Sequence, residues 1–141
     1  MFNKTYEERL AVWSQFRDSL EDSDDPFQDV IEFYKLAPCV SIHTDPWDSQ
    51  MWPTAWELLQ ENQYCDFCRV LSYYFSLQLT ERFSDANFEI HICTMREENY
   101  FYILVVNQKW VLGYDETQAI DISTLPKEVK SQVVYDMSEY R

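Results

Sequence analysis

The hydrophobic rhythm of the chain changes once, between residues 82 and 88, and the change predicts the fold class. Up to Arg82, apolar side chains recur every three or four positions, the period of a helix with one buried face. From Phe88 they alternate with polar ones, the period of a strand. A run of helices followed by a run of strands predicts an α+β domain.

Thr5-x-x-Glu8 is a capping-box pattern, and Tyr6, Leu10, Trp13, Phe16 and Leu20 follow it at helical spacing. The acidic run from Glu21 to Asp25 ends that helix and supplies the next N-cap, and Pro26 suits the first position of a second helix. Val30, Ile31, Phe33 and Tyr34 continue the second helix, and Pro38 stops it. Residues 37–52 read as loop, with Val40 and Ile42 able to form a short strand. A third helix starts at Pro53 and carries Trp56, Leu58 and Leu59; after Glu61-Asn-Gln63, a fourth runs from about Tyr64 to Arg82.

In the second half, Phe88, Ile90 and Ile92 share one strand face, and Glu89, His91 and Cys93 share the other. Tyr100 to Val106 is almost continuously apolar, which predicts a central strand covered on both faces. Asn107-Gln108 reads as a two-residue hairpin turn into a partner strand from Lys109 to Tyr114. Asp121-Ile122 suggests a short edge strand, and Leu125-Pro-Lys-Glu-Val129 the start of a last helix toward Tyr135. The expectation is one domain over residues 1–141: a helical pair over 1–36, a core over 45–115 and a C-terminal extension over 116–141. The Cys-bearing helix and the N-terminal helices would pack on a three- to four-stranded antiparallel sheet.

Composition narrows the function. The chain has 141 residues, 46% of them hydrophobic and 17% aromatic, enough to bury a core and to exclude disorder. The sole glycine, Gly113, excludes the Gly-rich loops that cradle phosphates. A formal net charge of −14 opposes direct nucleic-acid binding and favours basic protein partners. No apolar run reaches membrane-spanning length, and the polar segment Met1 to Glu8 lacks the apolar stretch of a signal peptide. A cytoplasmic or virion setting, reduced thiols and no cofactor are expected.

Cys65-Asp-Phe-Cys68 falls at a helix start, where free N–H groups and the helix dipole favour a thiolate. Three readings compete: a nucleophile, which also needs a base; a redox dithiol, whose usual setting is a βαβ unit; and core filling by small apolar side chains. As a zinc site the motif is half a set, which Cys39, His43, His91 or Cys93 could complete only by folding together. Of the two histidines, His91 lies on the strand face opposite Phe88, Ile90 and Ile92, and His43 lies in the loop.

Two segments, Asp45 to Leu59 and Tyr64-Cys-Asp-Phe-Cys-Arg69, together with Trp110-Val-Leu-Gly-Tyr-Asp115, resemble the bacterial transglutaminase-like cysteine proteinases. That family carries a Trp-x-x-Pro-x-Glu-x-Leu approach, a Gly-Asp-Cys-x-Asp-Tyr-Ala helix, a His-bearing strand and a strand ending in Leu-Asp. The resemblance implies a papain-type core with Cys, His and Asp in catalytic roles. Here, aligning Asp66-Phe67-Cys68 with Asp-Tyr-Ala puts Tyr64 in the nucleophile slot, and placing Cys65 there takes a one-residue shift. The His slot falls within Asn99 to Tyr102, none of which is His; only Asp115 fits its role. Without an imidazole nothing takes the thiol proton.

The expected function is therefore non-catalytic: a structural or protein-interaction module on a degenerate transglutaminase-like fold. It would meet a basic partner, with Trp47, Met51 and Trp52 as anchors. The aromatic-rich, glycine-poor composition looks like small proteins of large tailed phages, which implies a virion or host-interaction role. The alternative is a cysteine amidase or protease using Cys65, with His91 or His43 recruited and Asp115 orienting.

Overall fold

Capping chemistry sets the helix starts in the computed structural model, which describes residues 1–41, 44–96 and 99–140. Helix α1 (Tyr6–Leu20) opens on a complete capping box: the Thr5 hydroxyl accepts the Glu8 N–H at 3.3 Å, and the Glu8 carboxylate accepts the Thr5 N–H at 3.4 Å. Helix α2 (Pro26–Tyr34) has Asp25 as N-cap and Pro26 at its first position. Helix α3 (Ala55–Glu61) starts two residues after Pro53, because Thr54 and Glu57 form a second capping box. It ends at Asn62, in the left-handed conformation with φ 54°. The buried Arg9 closes its C-terminus, donating from Nε to the Leu59 carbonyl at 2.8 Å and from Nη2 to the Gln60 carbonyl at 3.2 Å.

Helix α4 (Asp66–Gln78) is the central element. Phe67, Cys68, Val70, Leu71, Tyr73, Tyr74 and Leu77 are all buried along it, with α1, α2 and α3 against it and the sheet beneath. One hydroxyl ties three helices. Ser76 accepts the Trp13 indole N–H at 3.0 Å and lies 2.9 Å from the Tyr34 phenol, so buried polar atoms of α1, α2 and α4 satisfy one another.

Five strands follow: β1 (Phe88–Met95), β2 (Phe101–Val106), β3 (Trp110–Leu112), β4 (Ile120–Asp121) and β5 (Val129–Asp136). They form one antiparallel sheet in the order β4-β3-β2-β1-β5, with the apolar β2 at its centre. Asn107 and Gln108, with φ 53° and 56°, make the β2–β3 hairpin without glycine. Phe88, Ile90, Leu104 and Val106 face the helices. Cys93, Ile103, Val105 and Val111 face the other way and are covered by Tyr114, Ile120, Leu125 and Val129. Residues 122–128 thus strap across the back of the sheet, from β4 at one edge to β5 at the other.

The sheet is larger than the sequence predicts, because the expected last helix from Leu125 toward Tyr135 is the strand β5. Pro126-Lys-Glu-Val129 forms a turn closed by Val129 N–H to the Pro126 carbonyl at 3.1 Å, rather than a first helical turn. Val133 and Tyr135 then turn inward while Val134 and Asp136 stay exposed, a period of two. Pairing with β1 gives those backbone groups their partners, with one bulge opposite Ile92 and Cys93. Val40 makes a single backbone link to Tyr64 at 3.2 Å, beside an isolated parallel bridge from Cys39. Ile42, the other residue of that expected strand, lies outside the described residues.

Candidate functional site

The start of α4 has a closed side and an open one. On the closed side, Cys65 is the N-cap, and its Sγ accepts the Cys68 N–H at 3.4 Å. The C-x-x-C spacing is therefore the spacing of a cap to the third helical residue. Cys68 Sγ lies 3.1 Å from the Thr44 hydroxyl. Only 5% of Cys65 and none of Cys68 reaches the surface. The hydrogen bond with Cys65, together with burial, pushes the Cys68 thiol well above its ordinary value, so it is neutral and poorly nucleophilic near pH 7. All four cysteines are reduced thiols. Cys39 is exposed and receives a hydrogen bond from the Arg69 guanidinium. Cys93 sits under the strap, where burial raises its thiol as well. Among the described residues, no group of three or more His, Cys, Asp or Glu side chains is placed to hold a metal ion.

His91 stays away from this helix end. Its neighbour Ile90 points into the helix-facing core that contains Cys65, so His91 points to the strap side. There its ring is held 2.7 Å from the Ser131 hydroxyl and 3.0 Å from the Glu89 carboxylate. The sheet separates His91 from Cys65, and His43 lies outside the described residues. Asp115 does reach the region, on the open side. Its carboxylate accepts the Thr117 N–H at 2.8 Å and hydroxyl at 2.7 Å, and the Gln118 amide at 3.3 Å. These bonds, Thr117's first, hold it below the usual carboxylate range. Within the stretch where the resemblance puts a His, Tyr102 is the residue that turns toward α4, its ring edge-on to Phe67 at 5.3 Å. Burial, with Cys65, Asp66 and Asp45 nearby, raises its phenol, so it is no base at neutral pH.

The open side is a groove of about 890 Å³ between the first turns of α4, the start of β2 and the segment 113–117, with Tyr73, Tyr100, Tyr102, Asp66, Asp115 and Glu116 among its walls. Gly113 makes its shape possible. With φ +103°, a Cβ on it would lie 2.8 Å from the Tyr102 carbonyl and 3.2 Å from a Val70 methyl. Only glycine lets the chain leave β3 this close to β2 and α4. Sequence reasoning did not find this groove. Two signals were available: the sole glycine just after a strand, and the tyrosines at 100, 102 and 114.

The three expected anchors divide. Trp47 is 46% exposed and meets Tyr100, a wall of the groove, edge-on at 5.2 Å. Its backbone is fixed by Asp45, which accepts the Trp47 N–H at 2.9 Å, and by the Tyr135 phenol, which donates to the Pro46 and Trp47 carbonyls at 3.3 and 3.4 Å. Met51 is 73% exposed. Trp52 instead closes the core, packed on Phe67 at 4.9 Å, Tyr135 at 4.7 Å and Tyr140 at 5.4 Å.

No family model, curated protein or solved structure matches this chain. Among the described residues, no helix is long and apolar enough to cross a membrane.

Proposed function

We propose that this chain is a non-catalytic protein-interaction module for a basic partner, with Trp47, Met51 and Tyr100 as its contact surface. The observation that carries this reading is the exposed Trp47–Tyr100 pair, held by a fixed loop beside a groove. Aromatic side chains bury much area at little entropic cost, which makes them effective anchors. The formal charge of −14 supplies the attraction for a basic surface. The thiols argue the same way, since Cys65 and Cys68 are spent on capping and packing and His91 is on the far side of the sheet. A virion or host-interaction setting rests on composition alone.

The test is site-specific photocrosslinking. A benzoylphenylalanine at position 47 should capture one predominant basic protein from cells that make the chain, and capture should fall as salt rises to about 0.5 M. The captured protein, made recombinantly, should bind the parent chain and lose affinity with Trp47→Ala. In parallel, alkylation should label Cys39 readily and reach Cys65, Cys68 and Cys93 only in denaturant. Rapid labelling of Cys65 in the folded protein, with hydrolysis of amide substrates, would overturn this reading and favour a cysteine amidase.

A further inference from the structure

We infer that the groove beside Trp47 receives one arginine side chain of the partner, its guanidinium lying against Tyr73 and Tyr102 and paired with the carboxylates of Asp66 and Glu116; this rests on the reading that the partner is basic.

The polar groups of the groove are not equally committed. Lys35 is paired with Glu32 at 2.9 Å, and the Arg69 guanidinium donates to Cys39 through Nη2, while its buried Nε has no partner among the described residues. The Asp115 carboxylate is taken up by Thr117 and Gln118. Asp66 and Glu116 are exposed, and among the described residues neither carboxylate makes a hydrogen bond or ion pair, although both line the groove. Asp66 lies close enough to Tyr102 to act on its phenol, and Glu116 to act on that of Tyr73, where the Arg69 guanidinium opposes it with the larger effect. Two uncommitted carboxylates beside aromatic walls match a planar, weakly hydrated cation that can stack and donate at once, which is arginine rather than lysine.

A second cleft, about 690 Å³ and walled by Phe27, Phe83 and Trp110, shows the contrast. Its aromatic faces already carry the chain's own cations, Arg82 over Phe83 at 5.5 Å and Lys109 over Trp110 at 5.1 Å. In the groove of Tyr73 and Tyr102, no such cation–aromatic contact is present among the described residues. The groove is also continuous with the proposed contact surface, because Tyr100 belongs to both.

The experiment uses the full chain, labelled with ¹⁵N, and a blocked Gly-Ser-Arg-Ser-Gly peptide. Saturable amide shifts are expected at Asp66, Arg69, Tyr73, Tyr102 and Gly113 to Thr117. The citrulline peptide, which keeps the shape and loses the charge, should give none of them. Asp66→Asn with Glu116→Gln should weaken arginine-peptide binding about fivefold. Asp18→Asn with Asp22→Asn, which removes the same charge elsewhere, should leave it unchanged. Shifts spread over the acidic surface, equal weakening by the two double variants, or equal binding of the citrulline peptide would each overturn the inference. Capture at position 47, with binding of the captured protein to the parent chain that is weakened by Trp47→Ala but without any arginine-peptide binding, would sink this inference and leave the interaction reading standing.

Discussion

At the start of α4, the closed side and the open side use reactive and ordinary residues in opposite ways. On the closed side the thiols are absorbed by the fold. Cys65 caps the helix, Cys68 fills space beside Thr44, and Tyr64 carries the backbone link to Val40. On the open side the walls include tyrosines, carboxylates, Lys35 and Arg69, and among the described residues Asp66 and Glu116 make no hydrogen bond or ion pair. The difference teaches that a motif's chemistry is decided by whether its polar atoms are already satisfied. A Cys-x-x-Cys whose first sulfur accepts the amide of the second is helix punctuation, whereas two unmatched carboxylates near aromatic rings remain available to a ligand.

The largest predicted effect tests how closed the closed side is. Burial raises the phenols of Tyr34, Tyr64 and Tyr73, the last two to about 12. A raised folded value means that the fold holds the neutral phenol more tightly than the unfolded chain does. That stability is complete below pH ~10 and is lost as pH rises from there through about 12, by up to ~1.4 kcal/mol per pH unit for each tyrosine. Urea midpoints should therefore decline gently from about pH 8.5, where the raised Cys68 and Cys93 thiols begin to lose the same kind of support, and fall steeply above ~10 as the phenols join them. A profile with no steep fall by pH ~11.5 would show that these phenols are not sealed.

Next in size is a tryptophan contrast that separates core from surface on one loop. Trp52→Ala removes the ring that joins Phe67, Tyr135 and Tyr140 and should cost about 3 kcal/mol. Trp47→Ala, on an exposed ring, should change stability by less than about 0.5 kcal/mol while weakening binding of the captured partner. Equal losses of stability would mean that Trp47 also belongs to the core. Gly113→Val then tests the groove wall. A side chain there meets the Tyr102 carbonyl and Val70 in a conformation that L-residues rarely adopt, so about 2 kcal/mol should be lost in urea denaturation. The shifts produced by the arginine peptide should be lost with it.

The helical half of the fold was legible because its signals are local. Thr5, Glu8, Asp25 and Pro26 act within one turn, and the structure uses each as the pattern predicts. The strands from Phe88 to Leu112 were equally plain, β1 from its alternation and β2 from the nearly continuous apolar run of a strand covered on both faces. Residues 125–135 misled because their fate is not local. Pro126 followed by Lys127 and Glu128 suits a helix start, but β1 has an edge that needs a partner, and Val133 and Tyr135 fill it. The candidate site was legible only in part. Trp47 and Met51 could be named, but their exposure against the half-burial of Trp52 depends on β5 and Tyr140, far along the chain. The groove depends on Gly113 approaching a carbonyl on another strand, which no spacing rule encodes.

The smallest effect is also the most direct test of what Cys65 does. If its sulfur is a cap, replacing it with another acceptor should preserve the helix start, and removing the acceptor should not. Cys65→Ala should cost about 1 kcal/mol, whereas Cys65→Ser, with a stronger acceptor at the same position, should stay within about 0.5 kcal/mol of the parent. A nucleophile would give a different result in function: serine without a base is as inert as alanine, so both variants would lose activity alike. Partner binding through Trp47 should be the same in all three proteins, since the cap lies on the closed side. A loss of binding in Cys65→Ser, with stability intact, would show that the two sides are coupled through the first turn of α4, and the division between them would have to be abandoned.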